Sequence, residues 1–135
     1  MGTEGRTAYV AGRFSDWRVV RAVQGHLLGA GYALTYDWTV HAEAGENERD
    51  GSIAPEAMMH SALTDLRAAR DADLLVLVCV DDMADALGCF IEFGAAAAQG
   101  ADLDVIAPHR PSIFWCLPYA ATFDSIETWA ARRVG

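Results

Sequence analysis

ADLLVLVCV, residues 72 to 80, is the most apolar run in this chain of 135 residues. Its length and its leucine and valine content are typical of a central strand in a parallel sheet, which is buried on both faces. Before this run, Met59, Leu63 and Leu66 recur at helical spacing. After it, a helix rich in small residues is predicted from about 87 to 99. A strand between two helices indicates parallel strands joined by right-handed crossovers.

The same alternation of strand and helix patterns continues along the chain. Strands are predicted at residues 7–12, 32–38, 102–108 and 112–118, and further helices at about 17–30 and 122–133. This order predicts one α/β domain over residues 1–135, a flavodoxin-like three-layer sandwich with a five-stranded parallel sheet of order 2-1-3-4-5. The polar residues 39–54 are predicted to form a long connection, either a binding loop or a disordered segment.

Composition excludes several classes of partner. Ten arginines and no lysine stand against nineteen acidic residues, which gives a net charge of -9. Such a surface repels a polyanion, so polymeric nucleic acid is not an expected partner, although a single nucleoside is compatible with it. No apolar run approaches the roughly eighteen residues that span a membrane, and the first residues do not resemble a signal peptide. We therefore expect a cytoplasmic protein without a membrane partner.

The cysteines and histidines give no metal-binding pattern. The three cysteines form no CxxC pair, and the four histidines form no HxxxH or HExxH pair. Buried reduced thiols and scattered structural or surface histidines are the simpler interpretation. We expect neither a metal nor a cofactor.

One carboxylate has an unusual setting. Glu92 lies in ALGCFIEFGAAAAQG, residues 86 to 100, among glycines, alanines and large apolar residues. In the predicted strand order the ligand crevice opens at the carboxyl ends of strands 1 and 3, which places Glu92 at its edge. A simpler alternative is a charge in the first turn of a helix, stabilised by the helix dipole. A partly desolvated carboxylate is also suited to attack an anomeric carbon, with a second carboxyl group as the acid. Asp65, on the flank of the preceding helix, is the candidate for that acid.

Three segments together resemble a known family. AYVAGRFSDW (8–17), the placement of Asp65 eight residues before Asp73, and LGCFIEFGAA (87–96) are similar to the nucleoside 2-deoxyribosyltransferase family, which includes the nucleoside 5'-monophosphate N-glycosidases. The resemblance implies that Glu92 is the nucleophile, that Asp65 protonates the leaving base and that Tyr9 holds Glu92.

The substrate contacts follow partly from the resemblance and partly from the residues. The loop Gly12-Arg13-Phe14 is expected to border the sugar or base, with Phe14 available to stack or to serve only in packing. Gly88 permits close approach of backbone or ligand. Asp85 is a further candidate, because the position where the transferases tend to carry an aspartate that touches the base is Ala86 here.

The resemblance implies cleavage of the N-glycosidic bond of a nucleoside or deoxynucleoside through a covalent glycosyl-glutamate. The sugar then passes to water or to a free nucleobase, which would be a second substrate. The family assembles its sites between subunits, so we expect a homo-oligomer, with Trp115 and Trp129 as candidate interface residues. Whether the sugar is transferred to a free nucleobase is left open by the sequence. The asparagine that the transferases use has no counterpart near the C-terminus, and the only asparagine is Asn47.

The alternatives differ in whether the substrate carries a phosphate and in whether the protein catalyses a reaction. Asp81, Asp82 and Asp85 would set like charges against a phosphate, which favours an unphosphorylated nucleoside, although a solvated acidic loop explains them as well. A nucleoside 5'-monophosphate N-glycosidase and a non-catalytic binding module of the same fold are the other candidates. A phosphate-accepting receiver domain is disfavoured, because such domains need a lysine.

Overall fold

A computed structural model describes residues 5–46, 51–81, 86–107 and 112–133. Five strands form one parallel sheet: β1 (Thr7–Ala11), β2 (Ala33–Leu34), β3 (Leu74–Val78), β4 (Asp102–Ile106) and β5 (Ala120–Phe123). The helices are α1 (Trp17–Gly29), α2 (Thr39–Glu43), α3 (Pro55–Asp71), α4 (Leu87–Ala98) and α5 (Ile126–Arg133). The sheet order is β2-β1-β3-β4-β5 with helices on both faces, so the predicted flavodoxin-like class is confirmed.

The apolar run predicted to be central is the middle of the sheet. β3 is buried over its whole length and pairs in parallel with β1 on one side and β4 on the other. Its partner β1 is also buried from Ala8 to Ala11. On one face α3 packs against α4, and elsewhere α1 contacts α5. The two carboxylates of interest, Asp65 and Glu92, therefore come from two neighbouring helices.

Some predicted element boundaries were wrong. Residues 112–118 do not form the fifth strand: Ile113–Cys116 is a 3₁₀ helix, and β5 follows at Ala120–Phe123. A short apolar run can belong to either kind of element, and here the Ser112 hydroxyl accepts a hydrogen bond from the Phe114 N–H and so starts a turn. The second strand is only two residues long, and α2 occupies part of the predicted polar loop.

Trp129 is buried instead of lying at an interface. Its side chain is 0% exposed, and its indole Nε1 donates to Asp104 Oδ2 at 3.0 Å. The carboxylate of Asp104, also fully buried, accepts two further bonds from Arg133, at 2.8 Å from Nη2 and 3.0 Å from Nε. The expectation that Trp129 is an exposed interface residue is therefore wrong, since this side chain locks α5 onto β4.

Replacing Asp104 should cost more stability than replacing its neighbour on the same face of β4. We expect Asp104→Ala to lower the free energy of unfolding by about 3 kcal/mol, because it leaves the buried indole N–H and the Arg133 guanidinium without their acceptor. Asp102→Ala removes an ion pair with Arg6 whose side chains are 40% and 48% exposed, and it should cost less than about 1 kcal/mol. Urea denaturation of both variants measures the difference, and equal losses would contradict it.

None of the helices in the described ranges combines the length and apolar character that crossing a bilayer requires.

Candidate active site

A cleft of about 510 Å³ opens beside the carboxyl ends of β1 and β3, the strands at the centre of the sheet. This is the position where doubly wound sheets bind ligands, and the volume suits a small molecule. The lining residues come from the end of β1, from the region of α2, from α3 and from the start of α4: Tyr9, Gly12, Arg13, Phe14, Ser15, Trp17, Trp38, Ala42, Gly45, Glu46, Asp65, Ala86, Gly88, Cys89 and Glu92.

A hydrogen bond between Tyr9 and Glu92 joins the sheet to α4 inside this cleft. Tyr9 is fully buried in the middle of β1, and its hydroxyl donates to Glu92 Oε2 at 2.9 Å. Burial raises the pKa of Tyr9 well above its usual range, and the negative charges of Glu92 and Asp65 raise it further. The hydroxyl therefore stays protonated, and Tyr9 acts as a fixed donor to the carboxylate.

Glu92 is not a helix-terminal charge. Because α4 begins at Leu87, Glu92 is the sixth residue of the helix and lies in its second turn. The favourable effect of the helix dipole is concentrated in the first turn, so it does not explain this carboxylate. The side chain is half-buried and aimed at the cleft, where Tyr9 positions it. The alternative of a first-turn charge is therefore wrong.

Asp65 supplies a second carboxyl group in the same cleft. It is half-buried on α3, and its charge contributes to the raised pKa values of both Tyr9 and Tyr36. The cleft thus brings together the three residues singled out for chemistry, Tyr9, Asp65 and Glu92. A tyrosine-held carboxylate with a second acid nearby is an arrangement that can form and break a bond at an anomeric carbon.

The predicted substrate-contact residues Gly12, Arg13, Phe14 and Gly88 all line the cleft. Gly12 has a packing reason to lack a side chain, because a Cβ there would lie 2.4 Å from Val20 Cγ2. Asp85, the remaining predicted contact, and its neighbour Asp82 lie outside the described residues, as does Asn47.

Arg13 is held by carboxylates of the protein itself. Its Nε donates to Asp16 Oδ2 at 2.8 Å, and its Nη2 donates to Asp81 Oδ2 at 3.0 Å. The guanidinium is mostly buried, with 16% of the side chain exposed, so this pairing compensates most of its charge locally. Among the described lining residues Arg13 is the one basic side chain, while Glu46, Asp65 and Glu92 are acidic. The described part of the cleft is therefore predominantly acidic.

An aromatic wall, Phe14 and Trp38, closes one side of the cleft. The two rings are stacked, with centroids 5.3 Å apart and planes within 5° of parallel. The Trp38 indole N–H donates to the Val10 carbonyl at 2.8 Å, which fixes the wall to the end of β1. Phe14 is 39% exposed and Trp38 is 3% exposed, so Phe14 presents the accessible ring surface.

Cys89 also lines the cleft but is not suited to nucleophilic attack. Burial raises the pKa of its thiol to about 12, and the negative charge of Glu92 adds to the effect. At neutral pH the group is a thiol, and the thiolate is the reactive form of cysteine.

Sequence patterns do not identify Trp38 and Glu46 as cleft residues, because they place Trp38 at the end of the second strand and Glu46 in the polar connection of residues 39–54. In the structure, a chain of contacts joins Tyr36, His41 and Glu46 at this side of the cleft. The Tyr36 hydroxyl lies 2.6 Å from His41 Nε2, and His41 Nδ1 contacts the carboxylate of Glu46.

Within the described ranges, no group of three or more histidine, cysteine, aspartate or glutamate side chains is arranged to hold a metal ion.

Comparison with known proteins finds similarity of structure only. No protein-family model matches the chain, and no curated protein matches it. Five solved chains match its fold. One is the Clostridium botulinum CMP N-glycosidase BcmB, which is 12% identical, with a TM-score of 0.59 over 94% of this chain and 97% of that chain. At this identity the likeness shows a shared fold, and function has to be argued from the site.

Proposed function

We propose that this protein is an N-glycosidase that cleaves the bond between base and sugar in a nucleoside or deoxynucleoside. The observation that carries the proposal is the 2.9 Å hydrogen bond from the buried Tyr9 hydroxyl to Glu92, in a cleft that Asp65 also lines. The fold shared with a CMP N-glycosidase supports it, since the same architecture hosts this chemistry.

Glu92 and Asp65 divide the work in the first step. A carboxylate oxygen of Glu92 attacks C1' of the sugar and forms a glycosyl ester. The C–N bond breaks, its electron pair stays on the base nitrogen, and Asp65 in its acid form donates a proton to the base. Tyr9 holds the attacking carboxylate in place throughout, so that little reorientation is needed.

Water completes the reaction in the second step. The Asp65 carboxylate takes a proton from water as the water oxygen attacks C1', and Glu92 leaves as a free carboxylate. Asp65 is thereby returned to its acid form, and the products are the free sugar and the free base. A free nucleobase in place of water would give base transfer, which the resemblance to the deoxyribosyltransferases also implies.

The charge of the cleft favours an unphosphorylated substrate. A 5'-phosphate needs cationic partners, and Arg13 is already bound to Asp16 and Asp81. The acidic side chains of the cleft would repel a phosphate further. This chain would then differ from BcmB, which acts on CMP. A nucleoside 5'-monophosphate N-glycosidase is therefore the second candidate, and a non-catalytic nucleoside-binding module is the third.

Product analysis distinguishes these functions. The protein is incubated with ribo- and deoxynucleosides, with and without a second free base, and with the matching 5'-monophosphates, and the products are separated by chromatography. We expect release of base and sugar from nucleosides. Exchange of the base would indicate a transferase, and cleavage of monophosphates alone would overturn the phosphate argument. No cleavage of any of these compounds would contradict the proposal.

Removing the Tyr9 hydroxyl should lower turnover without removing the nucleophile. We expect Tyr9→Phe to reduce kcat by roughly 10- to 100-fold, because Glu92 is no longer fixed in the attacking position. The loss of a donor also makes the ionised carboxylate less favourable, so activity should fall at a higher pH on the acid side of the rate profile. Tyr32→Phe, outside the cleft, is the control. A profile that does not move on the acid side would contradict the positioning role.

The face formed by α3 and α4 supports the proposed homo-oligomer. Seven apolar side chains on these helices are exposed: Met58, Met59, Leu63, Leu66, Leu87, Phe90 and Ile91. Exposed apolar side chains grouped on two packed helices are typical of a protein interface, and a symmetric dimer would bury them. Because Trp129 is buried and Trp115 is half-buried with its ring edge-on to Phe93, we move the proposed interface to α3 and α4.

Light scattering tests this interface. We expect a mass at least twice the 14.5 kDa of one chain, and a shift to the monomer in Met59→Glu. Leu28→Glu, at a similarly exposed leucine on α1, should leave the mass unchanged. A monomeric wild-type protein would reject the proposal.

A further inference from the structure

Glu46 is a carboxylate of the cleft that the proposed reaction does not use. Its side chain lines the cleft and is 44% exposed, so part of it can reach a ligand. A carboxylate can only accept hydrogen bonds, so His41 Nδ1 carries the proton in their contact. In the neutral imidazole, Nε2 is then the acceptor for the Tyr36 hydroxyl, 2.6 Å away. This chain of contacts holds Glu46 in a defined orientation.

The cleft carboxylates Glu92 and Glu46 are held by different parts of the fold. Glu92 is bonded to Tyr9, deep in the sheet, whereas Glu46 is tied through His41 to Tyr36. Glu46 lies three residues after α2, whose first residue follows Trp38, and its N–H donates to the His41 carbonyl at 3.1 Å. Glu46 is thus anchored in the same segment as Trp38 of the aromatic wall.

These anchors predict how a nucleoside lies in the cleft. With C1' at Glu92 and the base against the aromatic wall, the base extends towards Glu46. The aromatic wall, Phe14 and Trp38, lines the same cleft and offers the exposed face of Phe14 to a flat ring. The edge of the base opposite the sugar then faces the Glu46 carboxylate.

We propose that Glu46 selects nucleosides whose base carries an exocyclic amino group, by accepting a hydrogen bond from that group. The class comprises cytosine and adenine nucleosides, in which that group lies at C4 of the pyrimidine or C6 of the purine; guanine carries an oxo group at C6 and falls outside it. This inference rests on the proposed function for the placement of the sugar.

Bases with a carbonyl at the corresponding position are disfavoured. The oxo group of uracil or hypoxanthine would set a second acceptor against the carboxylate, which then loses its hydration without gaining a donor. A site built to pair a donor rejects an analogue that lacks it more strongly than an apolar pocket rejects a change of size. Two matched pairs of nucleosides isolate this effect: cytidine with uridine, and adenosine with inosine.

Binding to a protein that cannot turn over tests the proposal directly. Dissociation constants of the four nucleosides, and of their deoxy forms, are measured by calorimetry on the Glu92→Gln protein. We expect the amino-bearing member of each pair to bind roughly tenfold more tightly. Adding Glu46→Gln should bring the ratio near one, because the amide can donate to an oxo group as well as accept. Adding Glu56→Gln, an exposed carboxylate in the first turn of α3 and outside the cleft, should leave the ratio unchanged.

The outcomes separate the inference from the function on which it rests. Equal affinities within both pairs, or a preference that survives Glu46→Gln, would overturn the role of Glu46 even if the wild-type protein cleaves nucleosides. A preference that disappears with Glu46→Gln supports that role even if the wild-type protein cleaves none of them. Failure of every nucleoside to bind at millimolar concentration would overturn both.

Discussion

Glu92→Gln is expected to fold as the wild type does and to lose at least about 10⁴-fold in the rate of base release, the scale seen when a nucleophile is removed. Glutamine nearly preserves the shape of the side chain, and its carbonyl oxygen can still accept the Tyr9 hydrogen bond. What it lacks is the negative charge and the nucleophilic oxygen that the glycosyl ester requires. The measurement is the initial rate of base release, followed by chromatography.

A matched variant and a trapping experiment make this prediction specific. Glu127→Gln, on α5 and outside the cleft, should keep full activity. Fluorine at C2' of the sugar slows both steps, so it is combined with a readily departing base that keeps the first step faster than the second. The wild-type protein should then accumulate a glycosyl adduct whose mass maps to Glu92. An adduct at another residue, or normal turnover by Glu92→Gln, would reject Glu92 as the nucleophile.

The strand order of the sheet could be predicted from the sequence because the pattern of its central strand is strong, although the fifth strand was misplaced. β3 is a continuous apolar run, and its burial over its whole length follows the pattern from which it was predicted. Once the order of the strands is known, the position of Glu92 beside the central crevice follows from topology. Its partner Tyr9 came from the resemblance, and the hydrogen bond between the two side chains agrees with it.

The wall of the cleft could not be predicted because it depends on distant contacts. α2 is only five residues long, too short to display a helical repeat, and it is anchored from α1 by Arg21, which bonds to Thr39, and by Gln24, which bonds to Asp37. Trp38 and Glu46 enter the cleft through this anchoring. Likewise the burial of Trp129 follows from its pairing with Asp104, which lies 25 residues away in sequence.

The Asp65→Asn variant should show which substrates need a proton on the departing base. With ordinary nucleosides we expect kcat to fall by roughly 10²- to 10⁴-fold, because asparagine can neither protonate the base nor accept a proton from water. A base that leaves without being protonated does not need the proton from Asp65. 7-Methylguanosine is such a substrate, since its purine already carries a positive charge and departs without an added proton.

The ratio of the two substrates isolates the acid role of Asp65. The rate of forming the glycosyl ester from 7-methylguanosine, measured as a burst of released base, should fall by no more than about tenfold in Asp65→Asn. Asp71→Asn, on the same helix but outside the cleft, should affect neither substrate. An equal loss on both substrates would mean that Asp65 serves binding or stability instead of proton transfer. A loss with ordinary nucleosides but not with 7-methylguanosine would identify Asp65 as the residue that protonates the departing base. Together with a glycosyl adduct on Glu92, it would place the acid on α3 and the nucleophile on the neighbouring helix α4.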